Sequence, residues 1–147
     1  FYFIIYFKFH INNLYNLVKL HPYQYVYFNS IFEKNSNRLF EIDYWGVSNK
    51  DALEKIANNN FEKDKIIIGV ASFTNLYLSK KMVTSNLKNK ITISGQNYQD
   101  SDFIFNNNLF EIDPKFNDKY SIPKTFKKYS SIKRGNILIN EFYKKKW

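Results

Sequence analysis

The run KIIIGVAS at residues 65–72 constrains this chain most. A strand with one wet face alternates apolar and polar residues, whereas a continuous apolar run is expected of a strand covered on both faces by helices. The run is too short for a helix, so it reads as a buried strand. A helix signal precedes it. Ser48 and Asp51 form the S-x-x-D pattern, in which a hydroxyl and a carboxylate satisfy free amides at a helix start. Ala52, Leu53, Ile56 and Ala57 then make an apolar stripe, and the Asn run 58–60 stops the helix. A second helix follows over 73–87, capped by Ser72 or Thr74, with Leu76, Val83 and Leu87 inward. ITISG (91–95) and DFIF (102–105) read as short strands, and the segment 111–124 with its two prolines as loop. Gly135 turns the chain into a last strand that puts Ile137 and Ile139 on one face. This alternation predicts an α/β fold: a small two- or three-layer sandwich with a mostly parallel central sheet and an antiparallel edge.

A chain of 147 residues is long enough for one domain with a real core. Tyr and Phe supply much of the bulky apolar matter, with 12 and 15 copies. Cysteine is absent, which excludes disulfides, thiolate metal sites and cysteine nucleophiles. The net charge of +9 favours anionic partners such as nucleic acid, acidic lipid headgroups or phosphorylated substrates. Lysines concentrate in KTFKKYSSIKR (124–134) and in the terminal KKK, which reads as a solvated tail.

The opening FYFIIYF is uncharged up to Lys8. Seven residues are too few to cross a bilayer, which takes about 20. The segment reads either as the last turns of a membrane helix that starts further upstream or as a buried N-terminal element. Residues 8–20 continue helically, with Ile11, Leu14, Leu17 and Val18 on one face, and Pro22 ends the helix. The Tyr and Phe that follow suit a membrane–water interface and suit a core equally well. YQYVYFNSIF (23–32) reads as strand or extended connection, EKNSNR (33–38) as a polar turn. LFEIDYW (39–45) reads as a half-buried strand broken by Gly46. The simplest division is a membrane-proximal segment, 1–30, and a soluble α/β domain, 31–147.

Four glycines, at 46, 69, 95 and 135, leave no room for a glycine-rich phosphate loop or a nucleophile elbow. His10 and His21 lack the spacing of a metal pair, so no metal site and no cofactor is expected. His21, before Pro22, suits a structural hydrogen bond better than general-base work. Asp100-Ser101-Asp102 has the D-x-D form of some metal-binding transferases, but its place before a strand favours a turn. Glu41 and Asp43 would lie about 7 Å apart on one strand face, as a solvated pair or a cation or sugar-hydroxyl site. Asp43-Tyr44-Trp45-Gly46 is the more specific signal. Its rings offer a flat surface for a sugar and its Asp an acceptor for hydroxyls; alternatively, Trp45 anchors the core and Asp43 ties a turn.

LVKLHPYQYVYFNSIF and FEIDYWGVSNKDALEKI together resemble the C-terminal region of GT-C type membrane glycosyltransferases. These include bacterial relatives of protein O-mannosyltransferases and aminoarabinose transferases. The matching positions are His21, Pro22, Tyr23, Gln24, Tyr27, Phe28 and Asn29, then Asp43, Tyr44, Trp45, Gly46, Ser48 and Ala52. The resemblance implies sugar transfer from a polyprenyl-phosphate donor at a bacterial inner membrane, with this domain on the periplasmic side. It implies partners in the enzyme's own membrane helices, in lipid headgroups and in the donor. The family's catalytic aspartate lies in an early extracytoplasmic loop that this chain does not contain. No catalytic residue is therefore assigned, and the chain alone is expected to be inactive. Candidate substrate-binding residues are His21, Tyr23, Asn29, Asp43, Tyr44 and Trp45. The competing reading is a basic nucleic-acid-binding module, suggested by the charge and by aromatics between lysines in 124–143. No binding motif supports it and it leaves the apolar N-terminus unexplained, so nucleic acid is the disfavoured partner.

Overall fold

In the computed structural model, which describes residues 2–26, 40–107 and 120–146, the apolar run forms β1 (Ile66–Val70). β2 (Ile91–Gly95) and β3 (Phe103–Asn106) flank it in parallel. β4 (Phe126–Arg134) and β5 (Ile137–Lys145) form an antiparallel hairpin, and β5 pairs antiparallel with β3. The strand order is β2-β1-β3-β5-β4. The fold is thus α/β, with a parallel half and an antiparallel half in one mixed sheet. Lys144 and Lys145 of the expected solvated tail belong to β5, and β4 is a strand that the sequence reading leaves unassigned, its residues standing out there only as a lysine concentration. Its Phe126 and Ile132 are buried while Lys127, Lys128 and Lys133 stay exposed, a half-buried pattern obscured by charge.

The helices pack on one face of the sheet. α2 (Asn49–Asn59) buries Ala52, Leu53, Ile56 and Ala57, the stripe expected of it. The expected helix 73–87 is broken into α3 (Leu76–Lys81) and α4 (Ser85–Lys90). Its inward residues hold: Leu76 and Val83 are buried, and Leu87 packs on the same core. The break falls at Thr84, whose backbone is extended and whose amide donates to the Glu54 carboxylate at 3.2 Å. Neither Ser72 nor Thr74 caps α3; the Asn75 side chain does, accepting from Leu78 N. These helices close over Ile66, Ile68, Phe103, Phe105 and Phe142 in one apolar cluster. A smaller cluster of Ala71, Ile104 and Phe126, with Tyr98, Tyr120, Ile122 and Tyr143, is separate from it. Among the described residues the sandwich therefore has two layers, and the helix cover expected on both faces of β1 is found on one; the residues packed on Ala71 and Ile104 come from strands and loops.

Two ladder irregularities decide which side chains meet. The β4–β5 register steps from Ile132↔Asn140 to Lys133↔Leu138, so Ile139 is an extra residue on β5. A bulge of this kind lets neighbouring residues share a face. Ile137 and Ile139 join the larger core by ordinary alternation, and the bulge leaves Asn140 buried next to Ile139 and returns Phe142 to the same core. Gly69 is required by a close approach: a Cβ there would lie 2.8 Å from the Tyr98 ring and 2.9 Å from Ser101 Oγ. The Asp100–Asp102 pair is a turn, as expected. Asp100 accepts from Asn97, and Asp102 accepts from Ile67 N at 2.8 Å and Lys63 Nζ at 2.6 Å.

FYFIIYF and the residues after it form one helix, α1 (Tyr2–Lys19), with no buried residue. Residues 2–12 are exposed on every side. The partly covered positions are Asn13, Asn16, Leu17 and Leu20, which corrects the expected Ile11–Leu14–Leu17–Val18 face: only Leu17 of that set turns inward. Leu20 packs on the main core, and Tyr23 and Val26 lie within it, Val26 ending a short 3-10 turn over Gln24–Val26. That turn replaces strand at the start of 23–32. The rest of 23–32, the turn 33–38 and residues 111–119 lie outside the described residues. No described helix is long and apolar enough to cross a membrane.

Candidate functional site

Asp43 organises the signal found in the sequence. It is 1% exposed and sits in a turn, not a strand, which removes the expected Glu41–Asp43 pair: Glu41 faces solvent and Asp43 faces inward. The reason is that Asp43 binds its own chain. Its carbonyl accepts from Gly46 N at 2.9 Å, and its carboxylate from Val47 N at 2.9 Å, Tyr25 OH at 3.0 Å and Ser48 Oγ at 2.5 Å. This local bonding outcompetes an extended backbone. Gly46 completes the turn at φ +65, where a Cβ would also collide with the Asn49 side chain. Burial raises the pKa of Asp43 above the ordinary carboxylate value, opposed by the donors from Ser48, Tyr25 and Val47.

The expected capping box does not form. Ser48 is the N-cap of α2 but makes no side-chain cap bond. Its hydroxyl is committed to Asp43 and accepts from Asn140 Nδ2 at 2.6 Å. Asp51 instead accepts from the Tyr23 hydroxyl.

Behind the turn lie the carboxyl ends of β1 and β3, where open α/β sheets usually bind ligands. Here that pole is filled by polar side chains bonded to one another. Ser72 Oγ donates to Asn107 Oδ1 at 2.6 Å, and Asn107 Nδ2 donates to the Asp43 carbonyl at 3.2 Å. Asn49 Nδ2 donates to Thr74 Oγ1 at 3.3 Å and Ser79 Oγ at 3.2 Å. The Oδ1 atoms of Asn49 and Asn140 are buried without a hydrogen-bond partner. The network holds Ser48 and Asp43 in contact, and among the described residues no histidine joins them as in a serine–histidine pair. Its chemistry is that of a brace.

What the brace presents is aromatic. Trp45 is 86% exposed, which overturns its reading as a core anchor, and Tyr44 is 47% exposed. Their rings meet edge to face at 5.0 Å, and Tyr44 meets Phe73 in the same way at 5.4 Å. Phe73, Asn107 and Asn140 give no local signal of these roles, because each acts through residues remote in sequence.

The candidate residues therefore divide. Tyr44 and Trp45 come together on the surface, and His21 is exposed with its Nδ1 2.8 Å from Gln24 Nε2, after a chain reversal with a cis His21–Pro22 bond. Tyr23 and Asp43 are interior. Tyr23 is 1% exposed, with the Arg134 guanidinium 4.5 Å over its ring, and its pKa is raised by burial and by Asp51. Asn29 lies outside the described residues. No group of three or more His, Asp or Glu among the described residues is placed to hold a metal ion.

Three lysines of the β4–β5 hairpin have local partners. Lys128 pairs with Glu141, Lys144 lies 5.3 Å over the Tyr129 ring, and Lys145 donates to the Gln99 carbonyl. No protein-family model, no curated protein and no solved structure matches the chain.

Proposed function

We propose that this chain is the C-terminal extracytoplasmic domain of a bacterial integral-membrane glycosyltransferase that transfers a sugar from a polyprenyl-phosphate donor. Its role is accessory, to orient the acceptor or cover the catalytic cavity, and the catalytic loop belongs to another part of the enzyme. The supporting observation is α1. Tyr2, Phe3, Ile4, Ile5, Tyr6, Phe7 and Phe9 are each more than half exposed. Leaving so many large side chains in water forgoes on the order of 10 kcal/mol of burial. An isolated helix of this length is also marginal in water. Both costs vanish if α1 is the distal end of a membrane helix. The HPYQYVYFN and DYWG positions supply the glycosyltransferase part of the reading, and Tyr44, Trp45 and His21 are the candidate residues that a substrate can reach.

The test does not require knowing the sugar. Deleting the gene in its source cell removes the step that consumes the donor, so one polyprenyl-phosphate sugar accumulates in lipid extracts, and a copy of the gene restores its level. Unchanged lipid-linked sugars, or this domain recovered only from the soluble fraction, would refute the proposal.

A further inference from the structure

The DYWG turn combines a fully bonded interior with an unprotected tip. Asp43 has both carboxylate oxygens and its carbonyl engaged, and Ile42, Gly46 and Ser48 are buried around it. On this fixed base stand Trp45 at 86% and Val47 at 53% exposure, with Tyr44 and Phe73 in ring contact beside them. The tip is also tied to the end of α1. Tyr25, six residues past Lys19, donates to Asp43, and Tyr23 from the same segment bonds Asp51 in the first turn of α2. The aromatic rim and the exit of the apolar helix thus share one end of the domain.

We infer that this rim is a second membrane contact: Tyr44, Trp45, Val47 and Phe73 enter the headgroup layer of the bilayer that α1 enters. The inference rests on the membrane reading of α1 given above. Three observations select lipid as the occupant. Trp and Tyr are the side chains that settle at the headgroup level, with an apolar ring and a polar atom at its edge. The rim adjoins the apolar helix through the Tyr25–Asp43 bond, so one surface reaches both. The chain carries +9, and Lys19 and Lys50 stand at the ends of α1 and α2 nearest the turn, which suits anionic headgroups. A sugar would want a free acceptor beside the rings, and the acid of this turn spends its oxygens inward. Docking at both points sets the carboxyl ends of β1 and β3 toward the lipid, the side from which a polyprenyl-linked donor is presented.

The chain has two tryptophans, so Trp147→Phe leaves Trp45 as the only indole. This 147-residue variant is mixed with vesicles of phosphatidylcholine and phosphatidylglycerol, with and without brominated acyl chains. The chain is expected to sediment with the vesicles, and Trp45 emission to shift to the blue and be quenched by the brominated lipid. In the parent chain Trp45→Ala should weaken vesicle partition about tenfold with an unchanged circular dichroism spectrum. Sedimentation with unshifted, unquenched Trp45 emission overturns the second contact and leaves the α1 reading standing. Failure to sediment at all overturns both. A blue shift produced by soluble oligosaccharide and not by vesicles makes the rim a sugar platform and also overturns the inference.

Discussion

α1 and the α/β domain treat apolar side chains in opposite ways. In the domain, Phe103, Phe105 and Ile104 are fully buried at the centre of the sheet, and Ser72 and Asn107 at its carboxyl end are hydrogen-bonded to their surroundings. In α1, Phe3, Ile4 and Phe7 stand in the open, each more than half exposed, and no residue is buried. Both segments are rich in the same amino acids. The difference is that the domain's apolar residues converge from several elements, whereas those of residues 2–12 radiate from one. Composition therefore cannot tell a buried set of apolar residues from an exposed one; convergence does.

That contrast can be broken or sharpened by substitution. The largest effect should come from α1. Phe3→Asp with Phe7→Asp is expected to remove about 5 kcal/mol of membrane affinity, read by vesicle sedimentation, while the urea midpoint of the domain stays where it was. A large drop in that midpoint would mean that α1 is part of the folded core. Phe105→Ala makes the opposite change. It should cost about 4 kcal/mol of stability by urea unfolding, through lost burial and the cavity left against Phe142, with no change in vesicle partition. Asp43→Ala leaves Tyr25, Ser48 and Val47 without their acceptor and should cost about 3 kcal/mol, with a matching loss of Trp45 anisotropy.

The smallest effect is a titration. Burial and Glu141 push the Tyr143 hydroxyl up to about 12 from its ordinary 10.0. The folded state thus holds this proton where the unfolded chain releases it. Its contribution is fully present below pH 10 and is lost as pH rises from there through about 12. Tyr143→Phe should flatten that part of the alkaline stability profile, and a profile as steep as the parent's would show that the hydroxyl does not matter.

The parts of the fold that could be read in the sequence are those set by neighbours along the chain. β1 announces itself because Ile66, Ile68 and Val70 face one way while Ile67 and Gly69 face the other, and none of them is charged. The α2 stripe follows from four residues at helical spacing. The DYWG turn is different. Whether its aspartate reaches out to a ligand or in to the protein depends on Tyr25, on Asn107, which is 64 residues away, and on Asn140 acting through Ser48. A short string of letters carries none of that. It does carry the choice of a glycine that can adopt φ +65, which is why a turn was one of two readings open. β4 is hidden for another reason: its exposed lysines, Lys127, Lys128 and Lys133, stand next to its two buried residues, Phe126 and Ile132, so charge masks the strand.

Those lysines also bear on how copies of the chain behave together. β4 is the outermost described strand, nine residues long, and among the described strands only β5 pairs with it. Such an edge invites another sheet to add to it. Lys127 and Lys133 place positive charge along that edge, while Lys128 is paired with Glu141, so two copies approaching rim to rim would bring like charges together. Charge on an edge strand disfavours the addition of another sheet, so part of the chain's excess of lysine has a consequence for self-association that does not depend on any anion binding there.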